Sequence, residues 1–366
     1  MANRQFFFIL FMMRTTILIA LMPVLTTADT LQDGWASAVA AFFGAALLVA
    51  VIGGLAVRFP AETLVEYSQK LLGKWPGKLL SLVPLFAFLY MAATDIRVYG
   101  EALVTVFLTE TPLAFIIGAM VFISALAAYA GIEVIGRSAD LFFPLFLLAI
   151  IISLVAPLPQ VPILIRNIEP VLARGAGPVL RGAITPIAVI SQYMVLTMIT
   201  PSTIEPKRVL RTALGALGAS SAVLAMSALL VVITLGPQRA ARSVFPFLSM
   251  IRAVQLSEFI ERMEVLIVFA WGFGVFIAVA AFLFSGARGL AQVMGLKTYR
   301  PLIGPMAAVW VAMAVHAHDD LFQVSTLFQP GLIFPLAAVG FILLPMGVLW
   351  GAYLIRALLG RLHGAG

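Results

Sequence analysis

The chain has 366 residues, of which 62% are hydrophobic and 11% charged, a balance that excludes an ordinary soluble domain. The formal net charge is +7, but the basic residues are scattered between apolar runs, so nucleic acid is not an expected partner and the lipid bilayer is. With no cysteine, disulfides, iron–sulfur clusters and thiolate chemistry are excluded together.

A hydrocarbon core about 30 Å thick takes roughly 20 helical residues per crossing. The apolar runs predict ten spans, at about residues 5 to 28, 34 to 57, 79 to 108, 112 to 130, 138 to 156, 180 to 201, 209 to 236, 263 to 285, 300 to 316 and 332 to 357. They are continuously apolar rather than alternating, which predicts helices and not barrel strands. The expected fold class is therefore an all-α integral membrane protein, with residues 1–366 forming one transmembrane domain.

The first run resembles a signal peptide in position, but Arg14 and Pro23 interrupt it, so it is read as a retained span. With the N-terminus inside, the inner segments hold Arg4, Arg58, Lys70, Lys74, Lys78, Arg137, Lys207, Arg208, Arg211, Arg288, Lys297, Arg300, Arg356 and Arg361. The outer segments hold half as many, which predicts an even number of crossings and both termini in the cytoplasm. Of the two long outer connections, residues 157 to 179 carry too many prolines for one helix. In the other, Phe247, Ile251, Val254 and Phe259 recur at near-helical spacing and predict a short surface helix.

Several polar residues fall where the bilayer makes them expensive. Arg14 lies near mid-depth of the first span, where a lipid-facing cation costs about 2.5–3.5 kcal/mol on insertion scales, so it must face a partner or water. It is either half of a structural ion pair or part of a polar path. In the third span Thr94, Arg97, Glu101 and Thr105 form one stripe, with Asp95 and Tyr99 a third of a turn away. Arg14, Asp95, Arg97 and Glu101 make a candidate charge network, with the stripe expected to line a central cavity and Glu101 able to neutralise either Arg97 or Arg14.

Prolines supply the other signal. Thr15 and Thr16 precede Pro23 in the first span, and Thr185 and Pro186 precede Ser191, Gln192 and Tyr193 in the sixth. Each proline removes a backbone donor, so both spans are candidates for interruption at mid-depth, with simple bends as the alternative. One opens the first set of five spans and the other the second, as expected for two inverted repeats, at about 5–156 and 180–357. In that arrangement Thr15, Thr16 and Ile17 offer amides to a carboxylate. Ser191, Gln192 and Tyr193 offer hydrogen bonds and freed carbonyls to an ammonium, and Thr94 of the third span and Trp271 of the eighth are expected at the same site.

His316, His318, Asp319 and Asp320 have the residue types of a metal site, but no further cluster completes it, so no metal is expected. No nucleophile triad, GxGxxG or Walker loop is present, so neither enzymatic chemistry nor a cofactor is expected.

Three stretches carry a resemblance: Gly131 to Arg137 (GIEVIGR); Glu261 to Glu264 (ERME) leading to Trp271; and Leu296 to Leu302 (LKTYRPL). Leu72 to Trp75 and Thr111 to Pro112 agree more weakly. Together they resemble the B-type permease subunit of spore germinant receptors, within the amino acid/polyamine/organocation transporter superfamily. The resemblance implies a LeuT-like five-plus-five inverted repeat with discontinuous helices 1 and 6. It also implies the spore inner membrane or the cytoplasmic membrane of a spore former, an amino-acid-like small-molecule ligand, and germinant receptor A and C subunits as partners. The family's sixth span carries proline, glycine and glutamate at its break, where this chain reads Ile190, Ser191, Gln192, so the carboxylate for a ligand amine is missing there. The alternatives are a proton-coupled amino acid transporter using Glu101 or Asp95, a passive conduit, and a metal-dependent enzyme at 316 to 320.

Overall fold

A computed structural model describes residues 1–253, 263–316, 326 and 328–360, and among them the regular structure is helical throughout. The main helices are α1 (Asn3–Thr30), α2 (Gly34–Arg58), α3 (Leu64–Leu72), α4 (Lys74–Val106), α5 (Leu113–Ala130), α6 (Ile132–Val155) and α7 (Ala176–Ala188). They continue with α8 (Val209–Leu235), α9 (Pro246–Ala253), α10 (Met263–Met294), α11 (Arg300–His316) and α12 (Leu344–Leu358). Eight helices among the described residues are long and apolar enough to cross a membrane; α1 and the 17-residue α11 occupy the remaining two positions of the ten-span plan.

Local sequence accounts for several joints. Thr63 caps α3 in a reciprocal box: its hydroxyl accepts from the Glu66 amide at 3.4 Å, and its own amide donates to Glu66 Oε2 at 2.7 Å. Gly131, at φ +110°, joins α5 to α6 in a conformation that favours glycine. The proline-rich outer connection is broken into short turns over Leu158–Gln160, Val161–Leu164 and Ile165–Ile168. Phe247 and Ile251 of α9 are buried, so that helix lays its apolar side on the bundle. Val254 and Phe259 lie outside the described residues.

The packing repeats itself. The first span packs on the fifth, seventh and eighth, and the sixth packs on the tenth, second and third; second meets seventh, third meets eighth and fourth meets ninth. Shifting every span number by five maps this pattern onto itself. Because five crossings is an odd number, the second set starts from the opposite side of the bilayer, so the repeat is inverted.

Helices 1 and 6 differ from each other. The sixth span is discontinuous as expected: α7 ends at Ala188, Val189–Val195 tighten into a 3₁₀ stretch, and α-geometry returns at Leu196–Ile199. The first span is not interrupted, and α1 runs unbroken through Thr15, Thr16 and Ile17. Pro23 frees the carbonyl four residues earlier, at Ile19, and no glycine around Thr15 loosens the backbone there. The tenth span holds an irregularity outside the expected ones, a π-helical stretch at Phe334–Leu343 with Pro335 at its second position and Pro345 just beyond its end.

The segments with most of the lysine and arginine meet on one side of the bundle. Met1 N donates to the Ser202 carbonyl, Arg4 and Gln5 bond Asp140, Arg288 reaches Ser202, and Lys78 reaches the Val293 carbonyl.

Candidate functional site

A small cavity lies between the first, third, sixth and tenth spans, with about 50 Å³ open to the centres of water molecules. On α4, Met91, Thr94 and Asp95 line it because residues three and four apart share a helix face. On the 3₁₀ stretch, Val189 and Gln192 line it together because residues three apart eclipse in that geometry, and Ser191 joins them. Ile17 of α1, Phe328, and Ile333, Ala337 and Phe341 of the tenth span form the apolar remainder.

The polar end is organised around one carboxylate. Asp95 is 4% exposed and accepts from Gln192 Nε2, at 3.0 Å to Oδ2 and 3.3 Å to Oδ1. Gln192 Oε1 is buried without a partner. Thr94 donates to its own helix, to the Tyr90 carbonyl at 2.9 Å, and the Ser191 hydroxyl makes only a weak contact with Met91 Sδ at 3.9 Å. Among the described residues no basic side chain lines the cavity. It therefore presents acceptors without a fixed cation, an arrangement that receives an ammonium group or a proton. The carboxylate absent from the sixth span is supplied by the third.

The structure distributes the remaining sequence-derived candidates elsewhere. Tyr193 turns away from the cavity and donates to the Leu10 carbonyl at 3.2 Å. Arg14, 1% exposed, donates through one guanidinium nitrogen to Ser220 Oγ at 3.0 Å and Ser221 Oγ at 3.2 Å on α8. No carboxylate among the described residues pairs with it, so neither the structural ion pair nor neutralisation by Glu101 is present. Thr15 and Thr16 hydroxyls are buried without hydrogen-bond partners among the described residues, and Thr16 packs against Gly274 of α10. Because α1 is continuous, the amides of Thr15 to Ile17 belong to the helix and are not available to a carboxylate.

The third-span stripe divides in two. Thr94 and its neighbour Asp95 face the cavity, while Arg97 bonds Glu101, with its Nη2 2.6 Å from Glu101 Oε1. Arg97 also donates to the Ala314 and Val315 carbonyls at the end of α11. This half of the stripe ties the third span to the ninth, where a cation satisfies the last carbonyls of a helix. The expected cavity lining by Arg97 and Glu101 is thereby corrected. Trp271 is also apart from the cavity. It lies edge-on to Tyr99 at 5.4 Å and lines a separate apolar hollow with Phe146, Ile150 and Phe247.

That hollow sits among the first, fifth and eighth spans, the images of the sixth, tenth and third under the repeat. The sequence reading thus placed the eighth span in one hollow when it belongs to the other. The tenth span, which lines the cavity, is absent from the expected site, although the closely spaced Pro330, Gly331, Pro335 and Pro345 were an available signal. His318, Asp319 and Asp320, with Glu261 and Arg262 of the resemblance, lie outside the described residues.

Residues 1–320 match the family model for spore germination proteins. The chain belongs to the spore germination protein family. Within that family it is 29% identical over 280 residues to spore germination protein KB of Bacillus subtilis (strain 168), covering 75% of this chain and 74% of the relative. It is 25% identical over 290 residues to spore germination protein YndE of the same organism, covering 79% of each. Among solved structures it resembles MhsT in complex with L-phenylalanine, with a TM-score of 0.66 at 13% identity, covering 96% of this chain and 97% of that one. It also resembles Mhp1, a nucleobase-cation-symport-1 family transporter, with a TM-score of 0.69 at 12% identity, covering 96% and 93%. At those identities the likeness establishes the LeuT-like fold alone. As a member of that family the chain is an integral membrane permease of spore germination and not an enzyme.

Proposed function

We propose that this permease senses a nutrient germinant by holding a small amino-acid-like ligand in the cavity between the first, third, sixth and tenth spans. The observation that carries the reading is Asp95 set against Gln192 in a buried hollow, a carboxylate and an unpartnered amide oxygen side by side. The ligand's ammonium displaces the Gln192 amide nitrogen from Asp95 and bonds both oxygens. Ser191 turns from Met91 to donate to the ligand's carboxylate, and the apolar side of the cavity receives a short side chain. A cavity this tight admits glycine- or alanine-sized ligands directly, and larger ones only as the tenth span moves aside. Binding then favours one arrangement of the bundle over another in proportion to the ligand's unequal affinity for the two. The germinant receptor A and C subunits receive that change in the spore inner membrane, with both termini of this chain cytoplasmic.

The second reading is a proton-coupled amino acid transporter. It is favoured by the burial of Asp95 in the cavity and leaves Glu101, held by Arg97, no part in the proton's path. Thermal-shift screening of amino acids against the purified full chain tests the site, with Asp95→Asn as the control. A ligand that raises the melting temperature of the parent and of Asp95→Asn equally contradicts the cavity assignment. Liposome uptake measured beside germination separates the readings: saturable uptake driven by a pH gradient supports the transporter, and ligand-dependent germination without uptake supports the sensor.

A further inference from the structure

On the outside of the bundle, α5 and α11 pack together and leave a groove of about 510 Å³ between them, ten times the space of the central cavity. It is apolar along its length, with exposed Phe122 and Leu126 on one wall and, on the other, buried Ile303 with half-buried Ala307 and Val311. One end is different. Arg300, the first residue of α11, lies over the Tyr129 ring at 5.5 Å and pairs with no carboxylate among the described residues. Lys297, one turn before it, is exposed on the same basic side of the bundle.

The length of the groove limits what can lie in it. From Arg300 to Val311 on α11, and from Tyr129 to Gly118 on α5, the lining spans eleven residues, about 16 Å at 1.5 Å per residue. Half of a hydrocarbon core about 30 Å thick is about 15 Å. The groove is therefore one leaflet deep and begins at the level where headgroups sit. A membrane helix from a partner would need a seat through both leaflets, whereas an acyl chain needs one. Basic pockets between membrane helices hold anionic headgroups, and the aromatic face under the Arg300 guanidinium holds that cation in place without neutralising it.

We propose that this groove seats an acyl chain of one anionic phospholipid, drawn from the leaflet that meets Arg300, with the headgroup phosphate bonded by the Arg300 guanidinium. The lipid becomes a fixed part of the α5–α11 face, on the opposite side of the third and eighth spans from solvent-borne ligands. This assignment does not depend on which ligand, if any, enters the central cavity.

The test is native mass spectrometry of the purified full chain in detergent micelles, with phosphatidylglycerol and phosphatidylcholine of the same acyl chains added separately. One bound phosphatidylglycerol is expected to survive, preferred over phosphatidylcholine by about five-fold, the effect of one cation near the surface. Arg300→Gln is expected to bring the preference close to one while both lipids still bind. A Cβ at Gly304 or Gly118 meets nothing within 4 Å, and both glycines line the groove, so Gly304→Leu and, independently, Gly118→Leu start from open space and fill it. Each is expected to remove retention of both lipids while leaving the melting temperature in lipid-free micelles unchanged. Unchanged retention in the leucine variants, or an undiminished preference in Arg300→Gln, overturns the proposal. So does a change from dimer to monomer in Gly304→Leu with bound lipid unaffected, which assigns the groove to a second copy of the chain.

Discussion

Gln192 Nε2 stands 3.0 Å and 3.3 Å from the two oxygens of Asp95, so among the described residues this one amide group bonds the buried carboxylate across the third and sixth spans. The pair closes the polar end of the cavity and leaves Gln192 Oε1 without a partner. A charged hydrogen bond contributes about 1.5–3 kcal/mol, and losing it lowers affinity by about 10–100-fold. Asp95→Asn is therefore expected to weaken binding of a small amino acid by that factor, read by isothermal titration on the purified chain. An unchanged Kd removes Asp95 from the site.

Arg14 is buried with two serine hydroxyls as its bonded partners. Removing the partners of a buried charge is costly, whereas replacing the charge by an apolar side chain of similar length is often neutral. Ser220→Ala with Ser221→Ala is expected to destabilise the bundle by about 1–3 kcal/mol. Adding Arg14→Met to that double variant is expected to recover most of the loss. Thermal melting in detergent reads both effects, and a triple variant less stable than the double one contradicts them.

At Gly274 a Cβ would overlap Thr16 Oγ1 and press on Phe146, since α1 and α10 approach closely there. Overpacking of this kind costs about 1–3 kcal/mol. Gly274→Ala is expected to lower the melting temperature, with partial rescue by Thr16→Ala, which removes the atom in the way. Equal melting of Gly274→Ala and the parent would mean that α1 and α10 move apart at no cost.

Arg97 holds Glu101 and the last carbonyls of α11 together, while among the described residues Glu101 bonds Arg97 alone. Arg97→Gln is expected to destabilise more than Glu101→Gln, since it also releases the end of α11. Because neither side chain lines the cavity, Glu101→Gln is expected to keep ligand affinity within about two-fold of the parent, a change of under about half a kcal/mol. Loss of ligand binding in Glu101→Gln with normal melting reverses the division of the third-span stripe.

Helical spacing showed that Asp95 and Arg97 sit on different parts of one helix, but not which of the two met the cavity. That depends on how α4 is rotated against its neighbours, and both faces carry polar groups. Prolines in the first and sixth spans looked equivalent in one dimension. In three, Pro23 leaves α1 intact, while the residues after Pro186 tighten into the turn that carries Ser191 and Gln192. The π-helical stretch of the tenth span brings Ala337 and Phe341 to the cavity although no polar residue there marked it as functional.

By itself the sequence determined the all-helical membrane character and the order of the spans, because hydrophobic run length is a property of the chain in one dimension. Only the tertiary structure decided that Asp95 meets Gln192 while Trp271 and Tyr193 face elsewhere. Lipid is as apolar as the helices, so hydrophobicity does not choose which face of a span turns inward; close packing and the bonding of each buried polar group do.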